Sequence, residues 1–285
     1  MTLLQQAVDE ASERLAAAGV PSPRADAELL AGHVLGLGRG EVAARALAGG
    51  PLDGADRAAF DALVARRAAR EPLQHLTGIA GFRSLLLAVG PGVFVPRPET
   101  EIVAQLAIDA LLAVPSPQPV AVDLGTGSGA IAISLATELP HARVHAVERS
   151  PEAFAWATRN AESAGAENLS LVLGDLADAL PELDGAVDVV VSNPPYIPTD
   201  AVPRDPEVRL HDPELALYGG EDGLDVVRVL SRRALALLRP GGALVVEHAE
   251  VQGPAIRALL AADGWRAPAT HPDLLGRPRA TTAVR

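Results

Sequence analysis

Val120-Ala121-Val122-Asp123-Leu124-Gly125-Thr126-Gly127-Ser128-Gly129-Ala130 decides the fold. Five residues of short buried strand run into a turn with a glycine at every second position. A helical run, Ala130 to Glu138, follows. Glycine there lets the chain turn tightly and lets a ligand come close to the main chain.

Working outward, the same alternation repeats. Extended apolar runs are expected at Arg143–Glu148, Leu169–Gly174, Val187–Ser192 and Gly242–Glu247. Helical runs are expected at Pro151–Ala164, Leu224–Leu238 and Val251–Ala262. A final strand pair is expected from Trp265–Thr270 and Thr281–Arg285. Continuous apolar strands alternating with helices imply a parallel sheet covered on both faces, with ligands bound at the carboxyl ends of the strands. Pro115 to Pro119 reads as a linker, and Pro98 opens a helix reaching about Val114.

The first seventy residues differ. Helical spacing over 2–19, from Ser22-Pro23 onward, over 40–47 and over 53–70 reads as a small helical bundle. Phe82–Val89 and Val93–Val95, separated by Gly90-Pro91-Gly92, read as a β-hairpin between two domains. The expected division is 1–72 helical, 73–97 hairpin and 98–285 catalytic.

Composition narrows the chemistry. The chain has 285 residues, no Cys and a formal charge of −12. Disulfides and thiolate metal sites are excluded. Residues 1–90 hold 9 Arg against 10 acids; the rest holds 15 against 26 and so carries −11 of the −12. All 24 basic residues are Arg, so no Walker A, Schiff-base or general-base lysine exists. An enzyme of duplex nucleic acid clusters Lys and Arg to neutralise phosphates, and no such cluster is present. The seven His make no His-Glu-x-x-His pair. No apolar run approaches the roughly eighteen uncharged residues that span a bilayer, and the first twenty residues lack a signal-peptide pattern. A cytoplasmic, monomeric protein with no membrane or direct nucleic acid partner is expected.

The glycine turn also satisfies the loose dinucleotide fingerprint as Gly125-x-Gly127-x-x-Ala130. Two details favour S-adenosyl-L-methionine instead. Asp123, two residues before the first glycine, is placed to meet a cationic methionine moiety, and the third glycine comes at Gly129. Glu148, ending the second strand, is placed to accept both ribose hydroxyls. Asp175, ending the third, is placed to meet an adenine amino group. Thr126 and Ser128 complete the turn.

The second stretch is Ser192-Asn193-Pro194-Pro195-Tyr196, after a run of four valines broken by Asp188. Asn193 offers an amide oxygen, and the Pro pair holds the chain extended so that the Pro194 carbonyl faces outward. Two acceptors converging on one planar NH₂ orient its lone pair, and Tyr196 can lie against its flat face. Such a nitrogen is a weak nucleophile. Holding both hydrogens as it becomes tetrahedral favours the transition state, and a methyl sulfonium in line supplies the electrophile.

At these residues the chain resembles the HemK/PrmC family, the peptide chain release factor glutamine methyltransferases. The specific pieces are Glu71–Gly78, Val95–Glu101, Asp123–Gly129, Asn193–Ile197, Leu217–Gly223 and Glu247-His248. The resemblance implies a class I methyltransferase fold, Rossmann-like, with a seven-stranded sheet whose last strand is antiparallel, beside a small helical domain. It implies methylation of the Gln amide in the Gly-Gly-Gln loop of class 1 release factors, with S-adenosyl-L-homocysteine as product. Gly125 to Gly129, Glu148 and Asn193 carry over as cofactor contacts, and Asn193, Pro194, Pro195 and Tyr196 as the glutamine clamp. Leu176 stands where many relatives place an aromatic residue beside the adenine. Arg97 either lines the site entrance or caps the hairpin. The helical domain is the expected docking element for the protein substrate. Asn-Pro-Pro-Tyr is shared with DNA amino-methyltransferases, so a DNA or RNA adenine methyltransferase is the alternative. A non-catalytic nucleotide-binding module is a third reading. The acids Asp205, Glu207, Asp212 and Glu214 are expected to form a solvated loop, or to face a basic partner surface.

Overall fold

The computed structural model describes residues 2–285, which group into two units. The first comprises residues up to 79 together with 203–211. Its helices are α1 (Leu4–Ala17), α2 (Pro23–Leu35), α3 (Arg39–Leu47), α4 (Gly54–Ala68) and α5 (Leu73–Thr77). Two short strands, β1 (Thr2–Leu3) and β2 (Pro51–Leu52), pair antiparallel. Pro23 starts α2 with its φ already helical, and Gly36 stops it in the left-handed region at φ +65°. Leu4, Val8, Leu15, Leu30, Val42 and Phe60 form the buried core, each contributing about 1.5–3 kcal/mol by burial.

The segment 203–211 ends in a short helix, Pro206–His211. Its Glu207 accepts from Arg67 at 2.8 Å and from Arg70 at 2.6 Å. Arg67 is itself buried and also donates to Asp26 at 2.8 Å. The expectation of a solvated acidic loop therefore fails for Glu207. It fails for Asp212 too, whose buried side chain takes Arg97 at 2.6 Å. Asp205 and Glu214 are exposed. The reason is charge pairing: an acid leaves water when a guanidinium fork fits its two oxygens.

The second unit comprises 80–202 and 212–285. It opens with a hairpin, β3 (Ile79–Phe82) and β4 (Leu85–Ala88). Its turn is Arg83-Ser84, not Gly90-Pro91-Gly92, and Val93–Val95 is no strand. Arg83 takes φ +52°. Its N–H donates to Glu101 at 2.9 Å, and its guanidinium pairs with Glu138 at 2.6 Å. These partners hold a residue type that seldom adopts this conformation. The glycines at 90 and 92 serve packing instead. A Cβ on Gly90 would lie 2.8 Å from the Trp156 ring, and one on Gly92 3.0 Å from Glu152.

Next come α6 (Glu101–Leu112), β5 (Val120–Leu124), α7 (Ala130–Glu138), β6 (Arg143–Glu148), α8 (Pro151–Ala164), β7 (Leu169–Leu173) and β8 (Val187–Ser192). The unit closes with α9 (Asp225–Leu237), β9 (Leu238–Glu247), α10 (Gly253–Ala262), β10 (Arg266–Pro272) and β11 (Pro278–Val284). The seven-stranded sheet runs β10-β11-β9-β8-β5-β6-β7. The β5, β6, β7, β8 and β9 pairings are parallel, and β11 is antiparallel to both neighbours. Apolar side chains alternate between two cores. Ala121, Val189 and Val191 face one; Val120, Val122, Leu124 and Val190 face the other. Asp188 interrupts the valines for a reason: its oxygens accept from the Val120 N–H at 2.8 Å and from Arg239 at 2.5 Å. From β5 the chain moves outward through β6 and β7, then returns to β8 on the other side. The crevice at that reversal is where open α/β sheets bind ligands.

Candidate active site

Register brings the two decisive stretches together at the reversal. Asp123 pairs with Val191 across β5 and β8, and Val246 of β9 pairs with Ser192. Ser192 Oγ donates to the Leu124 carbonyl at 2.5 Å. Gly125, Asn193 and Glu247 thus leave three adjacent strands at the same edge.

In the turn, the Gly125 and Thr126 N–H groups donate to the Val147 carbonyl at 2.9 and 3.0 Å. Gly125, Gly127 and Gly129 all have positive φ. A Cβ at Gly125 or Gly127 would meet open space, whereas one at Gly129 would strike Ile133 at 2.7 Å. The first two glycines therefore border a cradle, and the third permits helix packing. Asp123 is 0% exposed and accepts from the Thr126 hydroxyl at 2.6 Å. Its other oxygen makes no well-formed hydrogen bond, and burial pushes its pKa to about 7 against the pull of the Thr126 hydroxyl and the Ala132 N–H. Asp123 lies beneath the turn and shapes it through Thr126. Ser128 is buried, and its carbonyl accepts from Asn160 at 2.9 Å. Glu148 accepts from the Gly127 N–H at 2.8 Å and from the N–H groups of Arg149 and Ser150. The Arg149 and Ser150 N–H groups fill Oε1 and the Gly127 N–H takes one side of Oε2, so of about four acceptor sites one remains, on Oε2, for a hydroxyl donor rather than the two expected. Asp175 is half-exposed; it accepts from the Ala177 N–H at 2.9 Å and lies 3.8 Å from Arg149. Leu176 packs partly on the core beneath. An adenosyl group with a charged amino-acid tail fits this set: open glycines, a strand-end carboxylate and an apolar floor.

Beyond β8, Asn193 Nδ2 donates to Thr100 Oγ1 at 3.3 Å. Among the described residues, nothing donates to Asn193 Oδ1 or to the Pro194 carbonyl. Pro194 is buried, and Pro195 and Tyr196 are half-buried. The Tyr196 phenol donates to Glu247 Oε1 at 3.4 Å, and burial raises its pKa.

The Leu217–Gly223 stretch braces this corner. Ile197 N–H donates to Leu217, and Gly219 N–H to Ile197, both at 2.9 Å. A Cβ on Gly219 would come within 2.6 Å of the Pro195 carbonyl, and one on Gly223 within 2.3 Å of that of Tyr196. Gln252 donates to the Tyr196 carbonyl at 2.9 Å. Arg97 neither caps the hairpin nor stands free: it pairs with Asp212 and lies 5.0 Å over the Phe94 ring.

Residue reasoning assigned no role to Thr100, Asn160, Gln252 or Glu247. The signal for Glu247 was available, since it ends a strand at the same edge as Glu148. No group of His, Cys, Asp and Glu among the described residues forms a metal site. No helix among them is long and apolar enough to cross a membrane.

Comparison with known proteins agrees with this geometry. The PrmC N-terminal domain family matches residues 6–78, and a methyltransferase domain family matches 116–264. A release factor glutamine methyltransferase of Streptomyces coelicolor is 55% identical over 99% of this chain and 98% of its own length. One of Mycolicibacterium smegmatis is 49% identical over 100% and 99%. A 4-amino-L-phenylalanine/4-methylamino-L-phenylalanine methyltransferase of Streptomyces pristinaespiralis is 42% identical over 94% and 91%. With a helical unit, a seven-stranded sheet and both strand-end stretches in register, the chain belongs to the release factor glutamine methyltransferase family of S-adenosylmethionine-dependent enzymes.

Proposed function

We propose that the chain methylates the side-chain amide nitrogen of the glutamine in the Gly-Gly-Gln motif of class 1 peptide chain release factors. The observation that carries this is the pair of unengaged acceptors, Asn193 Oδ1 and the Pro194 carbonyl, one strand away from the open glycines 125 and 127. In this reading Gly125, Gly127, Glu148, Asp175 and Leu176 hold S-adenosyl-L-methionine. Asp123, Thr126, Ser128 and Gly129 keep the turn in shape. The bound donor supplies an electrophilic methyl carbon on a sulfonium sulfur and leaves as S-adenosyl-L-homocysteine.

The residues of the chain do the rest. An amide nitrogen delocalises its lone pair and resists alkylation. Asn193 Oδ1 and the Pro194 carbonyl each accept one of its hydrogens. Those bonds strengthen as the nitrogen pyramidalises and its protons grow acidic, so they favour the transition state over the ground state. Tyr196 packs on the face of the amide, and Pro195 keeps the corner rigid. Asn193, at the strand end beside Gly125, serves donor and acceptor sites together. The helical domain, residues 1–72, docks the release factor.

The adenine alternative is not carried forward, since relatives near full length act on release factors by name and the chain is strongly acidic. A second reading has one observation in its favour: one relative, 42% identical, is named for methylating an arylamine, which supports a planar aromatic amine as the alternative acceptor. Mass spectrometry after incubation with labelled methyl donor separates them. A gain of one methyl on the Gly-Gly-Gln peptide, with none on 4-aminophenylalanine or duplex DNA, is expected. Methylation of 4-aminophenylalanine alone would overturn the release factor reading.

A further inference from the structure

Glu247 ends β9 only 1% exposed, and the chemistry above leaves it without work. Its Oε1 takes the Tyr196 phenol at 3.4 Å, and the Thr100 hydroxyl stands near enough to the carboxyl to lower its pKa against burial. Thr100 Oγ1 in turn accepts Asn193 Nδ2 at 3.3 Å. Oε2 is buried with no hydrogen-bond partner among the described residues. A buried carboxyl with one idle oxygen costs free energy, so its retention calls for a reason other than packing. It bridges both side chains of the clamp. We infer that Glu247 is the positioning residue of the clamp: it directs the Thr100 hydroxyl, through it sets which way the Asn193 amide faces, and holds the Tyr196 ring by its phenol. This rests on the methyl-transfer reading above.

The logic follows from a single proton. The Thr100 hydroxyl has one hydrogen and two lone pairs. When the hydrogen goes to Glu247, only lone pairs face Asn193. The amide then meets Thr100 with its NH₂ side and turns Oδ1 outward, as a substrate NH₂ requires. If Glu247 is protonated it donates to Thr100 instead. The Thr100 hydrogen is then free to meet Asn193 Oδ1. The Asn193 amide turns over and confronts the substrate NH₂ with its own.

Burial pushes the Glu247 carboxyl to about 7, against the pull of Arg279. The groups facing it are Tyr196 from the corner after β8, Glu99 from the turn Pro98–Thr100, and Arg279 from β11. Asp273, between β10 and β11, lies 3.9 Å from Arg279. His248, next in the chain, is spent on the Ala249 carbonyl and Thr281, and burial lowers its pKa. Gln252, the N-cap residue of α10, is neutral. Clamp polarity is therefore set to change near neutral pH, with the working form above it.

The test uses the full-length enzyme with saturating methyl donor and intact release factor, in single turnover across pH 5.5–9, a range bracketing about 7. The wild-type rate should rise with pH through about 7, and Glu247→Gln should be slower with that rise gone. Thr100→Val should lose about tenfold in rate with KM within about twofold, and Thr100→Ser should recover most of the loss. Independently of turnover, ¹³C NMR of glutamate-labelled enzyme reads the carboxyl itself. The resonance missing in Glu247→Gln should titrate near neutrality, and its midpoint should move in Thr100→Val and in Tyr196→Phe. Wild-type rate with an unchanged rise in Glu247→Gln overturns the inference; so does Thr100→Ser as impaired as Thr100→Val. If Glu247→Gln fails to fold, the two Thr100 variants decide. If the wild type transfers no methyl to release factor, the functional reading fails. The NMR midpoint then judges the network alone, and one unmoved by Thr100→Val overturns it.

Discussion

Ser192 Oγ and the Leu124 carbonyl meet at 2.5 Å, both fully enclosed, and tie the end of the fourth sheet strand in sequence to the end of the first. The bond spans 68 residues of sequence and sets Asn193 beside Gly125. Ser192→Ala leaves a buried carbonyl without its donor, which costs about 1–3 kcal/mol. Urea unfolding should show that loss, and methyl transfer should fall further than donor affinity because the clamp shifts against the turn.

Asn193→Ala removes one of the two proposed acceptors of the substrate NH₂. Loss of a single donor or acceptor aimed at a transition state costs about 10²–10³ in turnover. Turnover should fall by that order, while donor affinity, measured by calorimetry, stays within about tenfold. Near wild-type turnover would contradict the clamp.

The glycines of the turn separate by what surrounds them. Gly129→Ala meets Ile133 at 2.7 Å and also forces a side chain to φ +85°. It should destabilise the chain by about 1–3 kcal/mol. Gly125→Ala carries similar backbone strain at φ +79° but points into open space. Its larger effect should be on donor binding. Thermal unfolding and donor titration on the two variants should rank them in opposite orders.

Much of this was legible without coordinates. The alternation of apolar runs and glycines gave the sheet because those signals are local: each strand carries its own burial pattern. The candidate site was legible for the same reason, since Gly125 and Asn193 each follow an apolar run directly. What escaped depends on partners distant in sequence. Arg83 adopts a left-handed turn because Glu101, 18 residues on, and Glu138, 55 residues on, hold it. Glu207 looked solvated because Arg67 and Arg70 lie 140 and 137 residues away. Charge pairing of that kind leaves no periodicity to read.

Glu207 is itself testable. Arg67 and Arg70 hold its pKa at about 2, below its ordinary 4.5, despite opposing desolvation. A carboxyl lowered in the folded state stabilises above its unfolded pKa, and that contribution is lost as pH falls through about 2. Glu207→Gln leaves two guanidinium groups short of an acid and should cost about 2–3 kcal/mol near neutral pH. The gap between variant and wild type in urea unfolding should narrow in acid.

Asp123 predicts the opposite slope. Burial raises its pKa from 3.8 to about 7. Between those values the folded chain keeps a proton that the unfolded chain has released, so stability falls as pH rises through the window. Asp123→Asn cannot titrate, yet its side-chain oxygen can still accept the Thr126 hydroxyl that shapes the turn. Between about pH 4 and 7 the wild type should lose stability with rising pH more steeply than the variant. Parallel stability curves for the two over that range would show that Asp123 is ionised in the folded protein, its charge held by the Thr126 hydroxyl and the Ala132 N–H.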